Sequence, residues 1–265
     1  MQITLPGHPN GTPPVAIVTG ASRRQGIGAG IVARLAEAGA CVFFTAWRPY
    51  DAASVWADDP DGPAQIAAAV IAAGGQADWL EIDLRAELAP ATVFDAATAR
   101  FGPPTILVNN AAHSTHDGWQ TLSAAELDAH WQANARATAL LSAEFARRWP
   151  GGDGGRIVNF SSGQGRGPMP EELGYIMSKG AIEALTVSLA AGVAPIGITV
   201  NAINPGPTDT GWMSPDLQVA LAPKLPFGRA GLPDDAARLV TFLCSEEGRW
   251  LTGQILHSEG GFLRE

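Results

Sequence analysis

Short apolar runs alternate along the chain with longer stretches in which apolar side chains recur every three or four positions. The first run, Val15-Ala16-Ile17-Val18, stops at Thr19-Gly20. It is followed by Ile27, Ile31 and Leu35 at i, i+4 and i+8, the period of a helix, with Gly39 placed to end it. The same alternation predicts strands at Cys41 to Phe44, Trp79 to Ile82, Ile106 to Val108, Ile157 to Phe160, Ile198 to Ile203 and Gln254 to His257. Helices are expected between them, near 64–73, 91–101, 123–147, 175–193 and 233–245. Strands that are apolar at consecutive positions fit a sheet covered on both faces, and parallel neighbours need crossovers of this length. The pattern therefore predicts an α/β fold, a doubly wound, Rossmann-like parallel sheet of about seven strands with helices on both faces. No repeat or linker divides the chain, so one domain is expected over 14–265 behind a flexible leader at 1–13. The longest irregular connections are 47–62 and 208–232, the second carrying a short helix near 216–221.

Composition narrows the function classes. The formal net charge is −9 with no basic stripe, which argues against a nucleic-acid partner. Charged residues are 16% of the chain against roughly 25% in ordinary soluble domains, so a large core and burial between subunits are expected. Two cysteines, Cys41 and Cys244, make no disulfide framework and fit a reducing compartment. No uninterrupted apolar stretch approaches the length of a bilayer span, and the first residues lack the regions of a secretory signal. The expectation is a cytoplasmic protein with no membrane partner.

The polar residues gather where the apolar runs end. Strand one ends in Thr19-Gly20 and leads to Gly26 and Gly28; the fourth ends in Asn109-Asn110, the fifth in Ser161-Ser162 and the sixth in Asn204-Pro205-Gly206. In open α/β sheets, ligands bind outside the carboxyl ends of the strands, so four such endings define a site. The turn from Gly20 through Ser22, Arg23 and Arg24 to Gly26-Ile27-Gly28 joins a strand to a helix and suits a pyrophosphate, through glycine backbone and free N–H groups.

At these positions the chain resembles the short-chain dehydrogenase/reductase family over nearly its whole length, and its 3-oxoacyl-[acyl-carrier-protein] reductase-like members in particular. Thr19-Gly20 through Gly26-Ile27-Gly28 looks like the family's cofactor turn, lengthened by two residues. Asn109-Asn110-Ala111-Ala112 looks like its N-N-A-G element with Ala112 in place of Gly. Ser162 followed 13 positions later by Tyr175, with Lys179 one helical turn on, matches its Ser and Y-x-x-x-K, and Asn134 falls where the family carries an Asn. The resemblance implies a nicotinamide-dependent enzyme acting on CH–OH or C=O groups through Asn134, Ser162, Tyr175 and Lys179. Tyr175 is expected as acid and base, its pKa lowered by the Lys179 ammonium, while Ser162 fixes the substrate oxygen. Lys179 is expected on the nicotinamide ribose, and Asn134 is expected to hold a water that feeds protons to it. Ser161, one residue off the interval, is expected to be structural.

Further coenzyme contacts are implied at Asp83, Leu84, Asn110, Ala111, Pro205, Gly206, Thr208 and Thr210. The second strand ends Thr45-Ala46-Trp47-Arg48 without an acid, so Arg23, Arg24 and Arg48 are expected to form a 2′-phosphate pocket, favouring NADPH/NADP over NADH/NAD. His113, Gln164, Trp212 and Met213 are candidate substrate-pocket residues. The 208–232 segment is expected as a lid made apolar by Met213, Leu217, Leu221 and Phe227. His113 and His116 lie three apart without a third ligand at suitable spacing, so no metal site is expected. The chain reads as an NADPH-dependent ketone reductase or secondary-alcohol dehydrogenase. Alternatives are a 3-oxoacyl-[acyl-carrier-protein] reductase, disfavoured by charge unless Arg147, Arg148 and Arg156 form a basic patch, and a non-catalytic NADP-binding regulator. A homotetramer or homodimer is expected through the helices at 123–147 and 175–193.

Overall fold

The computed structural model describes residues 3–7, 11–53 and 59–264. Parts of the expected leader and of the 47–62 connection lie outside these. Seven parallel strands form one sheet in the order β3-β2-β1-β4-β5-β6-β7. They are β1 (Val15–Val18), β2 (Cys41–Ala46), β3 (Gln76–Glu81), β4 (Ile106–Asn109), β5 (Gly155–Phe160), β6 (Ile198–Asn204) and β7 (Ile255–His257). The order reverses between β1 and β4, which opens a crevice at their carboxyl ends.

Both sheet faces are covered, which explains the unbroken apolar runs. Against one face pack α1 (Ile27–Glu37), α3 (Gly62–Ala72) and α9 (Pro233–Cys244), around Ile31, Leu35, Phe44, Val240 and Leu243. Against the other pack α4 (Ala89–Phe101), α6 (Ala137–Arg148) and α7 (Leu173–Val193), around Phe43, Phe94, Leu141, Phe145 and Val193. Adjacent strand positions divide between the two clusters: Ala16 and Val18 join the first, Ile17 the second.

Four features differ from the sequence expectation. β3 begins at Gln76, ahead of the expected Trp79, because it pairs with β2 from Cys41↔Gln76 to Ala46↔Glu81; as an edge strand it lacks the apolar pattern that would have marked its start. A short helix, α2 (Arg48–Ala52), occupies the start of the connection expected to be irregular. The single helix expected over 123–147 is three pieces: α5 (Ala124–His130), a π-helical turn at Trp131–Arg136, and α6. Finally, residues 3–7 of the expected leader pack on the domain: Leu5 is buried and the Thr4 carbonyl accepts the Glu246 N–H (3.0 Å). Among the described residues, the segment Leu173–Ile196 has the length and mean hydropathy (1.3) of a bilayer span. Here that segment lies along β5 and β6 and holds the buried Lys179.

Candidate active site

The glycine turn is shaped by its neighbours. Gly20 sits at φ +74°, and a Cβ there would meet Ala111 Cα at 2.6 Å. Gly28 starts α1 so close to the turn that a Cβ would run into the Gly20 carbonyl. Thr45 Oγ1 accepts the Gly20 N–H (3.3 Å), and the Asn110 amide donates to the carbonyls of Thr19 and Gly20 (2.9 Å each). The α1 N-cap, Gly26, makes no side-chain cap and the first turn carries no acid, so the helix presents open N–H donors and a positive dipole end.

A cavity of about 490 Å³ opens over this turn. Of the expected coenzyme residues, its wall includes Gly20, Ser22, Arg23, Gly26, Ile27, Gly28, Asp83, Leu84, Asn110, Ala111 and Thr210, and it also takes in His113. A glycine cradle, an uncapped helix start and a switch-point crevice together fit a dinucleotide. The sequence did not mark Trp47, Pro49, Tyr50 and Asp51, which form another part of the wall, or Arg85, which pairs with Asp83 (2.8 Å).

The three arginines do not converge. Arg23 lines the cavity and pairs with Asp51 (3.0 Å). Arg24 points away, with its guanidinium on Asp59 (2.9 and 3.0 Å) and Gln65. Arg48 stands outside the wall and is paired with Glu81 of β3. Each cation has found a carboxylate, so the expected three-arginine pocket reduces to Arg23.

The catalytic candidates do come together. Ser162 follows β5, and its hydroxyl lies on the side of the Tyr175 phenol, where it favours the phenolate; Tyr175 stands on the first turn of α7. Lys179 lies 5.5 Å from the centre of the Tyr175 ring, 2% exposed, with Nζ donating to the Phe160 carbonyl (2.8 Å). Burial brings the Lys179 pKa down to about 7. Burial also raises that of Tyr175, against the weaker opposing pull of the Ser162 hydroxyl. The expected lowering of Tyr175 by Lys179 is therefore absent in the coenzyme-free chain: desolvation outweighs any cationic help, and it acts on the lysine as well.

Asn134 sits in the π-helical turn, a distortion often found at functional sites. Its side chain is spent on protein: Oδ1 accepts the His113 N–H (2.7 Å), and Nδ2 donates to the His113 carbonyl and to Ser178 Oγ (2.9 Å each). Ser178 in turn donates to the Tyr175 carbonyl (2.7 Å), so Asn134 is tied to the catalytic helix. Sequence spacing found Asn134 but gave no sign of Ser178. Asp117 was also missed. It is buried and accepts the Gly174 N–H (3.0 Å) immediately before Tyr175.

Ser162, Tyr175, Lys179, Pro205, Gly206 and Thr208 stand outside the cavity wall. Rings connect the two regions: His113 lies 4.8 Å from His130, which lies 6.3 Å from Tyr175. The histidine that joins His113 is His130, not His116, and with Glu126 their ligand atoms fall within 4.8 Å of one another. Thr115 donates through N–H to His130 Nε2 (3.3 Å) and through its hydroxyl to Glu126 (2.7 Å), while His113 Nε2 is buried without a hydrogen-bond partner, 3.7 Å from the Glu126 carboxylate.

The candidate substrate residues scatter. Gln164 donates to Ser161 (3.1 Å) and Glu183 (2.7 Å), and Ser161 donates to Glu183, in the structural role expected of that serine. Met213 is buried, while the Trp212 indole bonds the Thr208 carbonyl (2.8 Å). Phe227, expected to make the lid apolar, is 80% exposed, with its ring edge beside Gly260.

The sequence matches, over residues 20–263, the protein family described as enoyl-(acyl carrier protein) reductase. An uncharacterized oxidoreductase, YjdA of Bacillus subtilis, is 45% identical over 94% of this chain and 97% of its own length. A short-chain dehydrogenase/reductase from Serratia marcescens superposes with TM-score 0.83 at 35% identity, covering 94% of this chain and 97% of that one. The angucycline C-6 ketoreductase LanV, solved with bound NADP, superposes with TM-score 0.82 at 32% identity, covering 94% and 95%. With this fold, this Ser-Tyr-Lys grouping and these relatives, the chain is an oxidoreductase that belongs to the short-chain dehydrogenase/reductase family.

Proposed function

We propose that the protein is an NADPH-dependent ketone reductase, working in reverse as a secondary-alcohol dehydrogenase. The observation that carries this reading is the buried Lys179, its Nζ 5.5 Å from the centre of the Tyr175 ring, beside the strand end that bears Ser162. Bound NADPH supplies the hydride. Gly20, Ser22, Gly26, Ile27 and Gly28 would hold its phosphates, Asp83, Leu84, Asn110 and Ala111 its adenosine side, and Lys179, Pro205, Gly206, Thr208 and Thr210 the remainder.

Tyr175 stays protonated at neutral pH in its desolvated site, the state needed to give a proton to a carbonyl oxygen becoming an alkoxide. Ser162 donates a hydrogen bond to the same oxygen and fixes its position. Lys179 is poised near neutrality, which suits it to return the proton to Tyr175. Asn134 acts through position: by clamping both backbone groups of His113 and bonding Ser178, it sets the cleft floor against the catalytic helix.

The second strand ends without an acid, and the carboxylate of Asp51 is matched by Arg23, which supports NADPH over NADH. A small ketone is supported over a carrier-protein substrate because the arginines of the basic patch are committed elsewhere. Arg147 and Arg148 pair with Glu144 (2.7 Å each), and Arg156 is buried. The test is a screen of aryl and alkyl ketones beside acetoacetyl carrier protein, with both coenzymes. NADPH-dependent reduction of simple ketones is expected. A strong NADH preference overturns the coenzyme assignment, and activity confined to the carrier substrate overturns the substrate class.

A further inference from the structure

Arg23 of the glycine turn reaches α2, and α2 forms one wall of the dinucleotide cavity. A helix of five residues has no stability of its own in water and depends on what holds it. Among the described residues, three tethers do so. Arg48, at its start, pairs with Glu81 of β3. Tyr50, at its middle, reaches across to the loop after β4, where its hydroxyl accepts the Ser114 N–H (3.1 Å) and donates to the Ser114 carbonyl (3.3 Å). Asp51, 6% exposed, takes the Arg23 guanidinium (3.0 Å), whose Nη1 also donates to the Thr210 carbonyl at the start of the lid (2.8 Å).

Tyr50, Asp51, Arg23 and Thr210 all line the same cavity. Their bonds join its β2 side to its β4 side, and the glycine turn to the lid. A bridge across a cleft has to open whenever a large ligand enters or leaves.

We propose that Arg23 and Tyr50 are positioning residues that clasp α2 over bound dinucleotide and slow its release. The inference rests on the dinucleotide reading above: Arg23 acts through Asp51 and Thr210. Charge-assisted hydrogen bonds of this kind are worth enough to govern an exchange rate. The ring of Tyr50, tilted 5.4 Å from that of His113, stays in place when only its hydroxyl is removed.

The experiment is stopped-flow displacement of NADPH, followed by its fluorescence, in wild type, Tyr50→Phe, Arg23→Gln and Asp51→Asn, with thermal midpoints of the coenzyme-free proteins recorded alongside. Release about tenfold faster is expected in all three variants, on the scale of about one hydrogen bond, with a near-wild-type midpoint in Tyr50→Phe and the lowest midpoint in Arg23→Gln, which leaves the buried Asp51 carboxylate without its cation. The Asp51→Asn arm separates two roles for Arg23. A clasp loses its partner and releases faster, whereas an arginine acting only as a phosphate ligand is freed from a competitor and releases more slowly. Slower release in Asp51→Asn, or an unchanged rate in Tyr50→Phe, overturns the clasp. Failure of the wild type to bind NADPH or NADH at all overturns the dinucleotide reading along with it.

Discussion

Lys179 carries the most consequential charge in the molecule. It is buried, its ammonium has one carbonyl partner, and desolvation brings its pKa to about 7 from an ordinary 10.5. The unfolded chain keeps the proton up to the ordinary value, so between these pH values folding releases it and stability from this group rises with pH; below about 7 the cost is constant. In the coenzyme-free protein, denaturant midpoints of wild type relative to Lys179→Met should climb from pH 7 to pH 10, and a flat difference contradicts the assignment. Lys179, Tyr175, Ser162 and Asn134 were picked out by the resemblance of their spacing to the family's motif, and their catalytic roles are those proposed above. Their partners were not legible. Ser178 and Asp117 are ordinary polar residues until the chain brings them against Asn134 and Gly174. The arginines misled for a related reason: a sequence shows their charge but not the acids, Asp51, Asp59 and Glu81, that neutralise it.

At the scale of elements, two contacts set the geometry of the site. The first is the start of α1 against the glycine turn, where Gly28 has no room for a side chain. Gly28→Ala should cost about 1–3 kcal/mol by overpacking and weaken NADPH binding; chemical denaturation and fluorescence titration check both. The second is the start of α7, which holds Tyr175 and is met by the buried Asp117 carboxylate. Asp117→Ala should lower kcat with a smaller change in KM, at a cost of about 1 kcal/mol in stability, while Asp117→Asn, which keeps an acceptor oxygen, should recover most of the rate. Equal kcat in Asp117→Ala and wild type would contradict that role. Helices and strands were legible wherever one face is apolar. The π-helical turn at Trp131–Arg136 was not, because the helical period continues on both sides of it. The short α2 was hidden likewise, since tethers and not periodicity hold it.

The whole molecule leaves large apolar side chains on the two helices that flank the site. Trp131 is 54% exposed, Met177 59% and Val187 53%, a surface that monomers seldom leave uncovered. We propose that a homotetramer, or a homodimer, built on these helices covers these residues; sedimentation should report a particle of about four (or two) times the 27.5 kDa chain, and a monomer would remove that proposal. The doubly wound architecture was legible as a whole because alternating runs and crossover lengths admit few topologies. The substrate end of the cleft was not, since loop contacts place Met213 inside and Phe227 outside. The central claim is that the Tyr175 hydroxyl delivers the proton during carbonyl reduction. Its most direct test is single-turnover oxidation of bound NADPH by a responsive ketone, in wild type and in Tyr175→Phe. The account predicts unchanged NADPH affinity in the variant and a rate lower by about 10²-fold or more; a rate equal to wild type would contradict it.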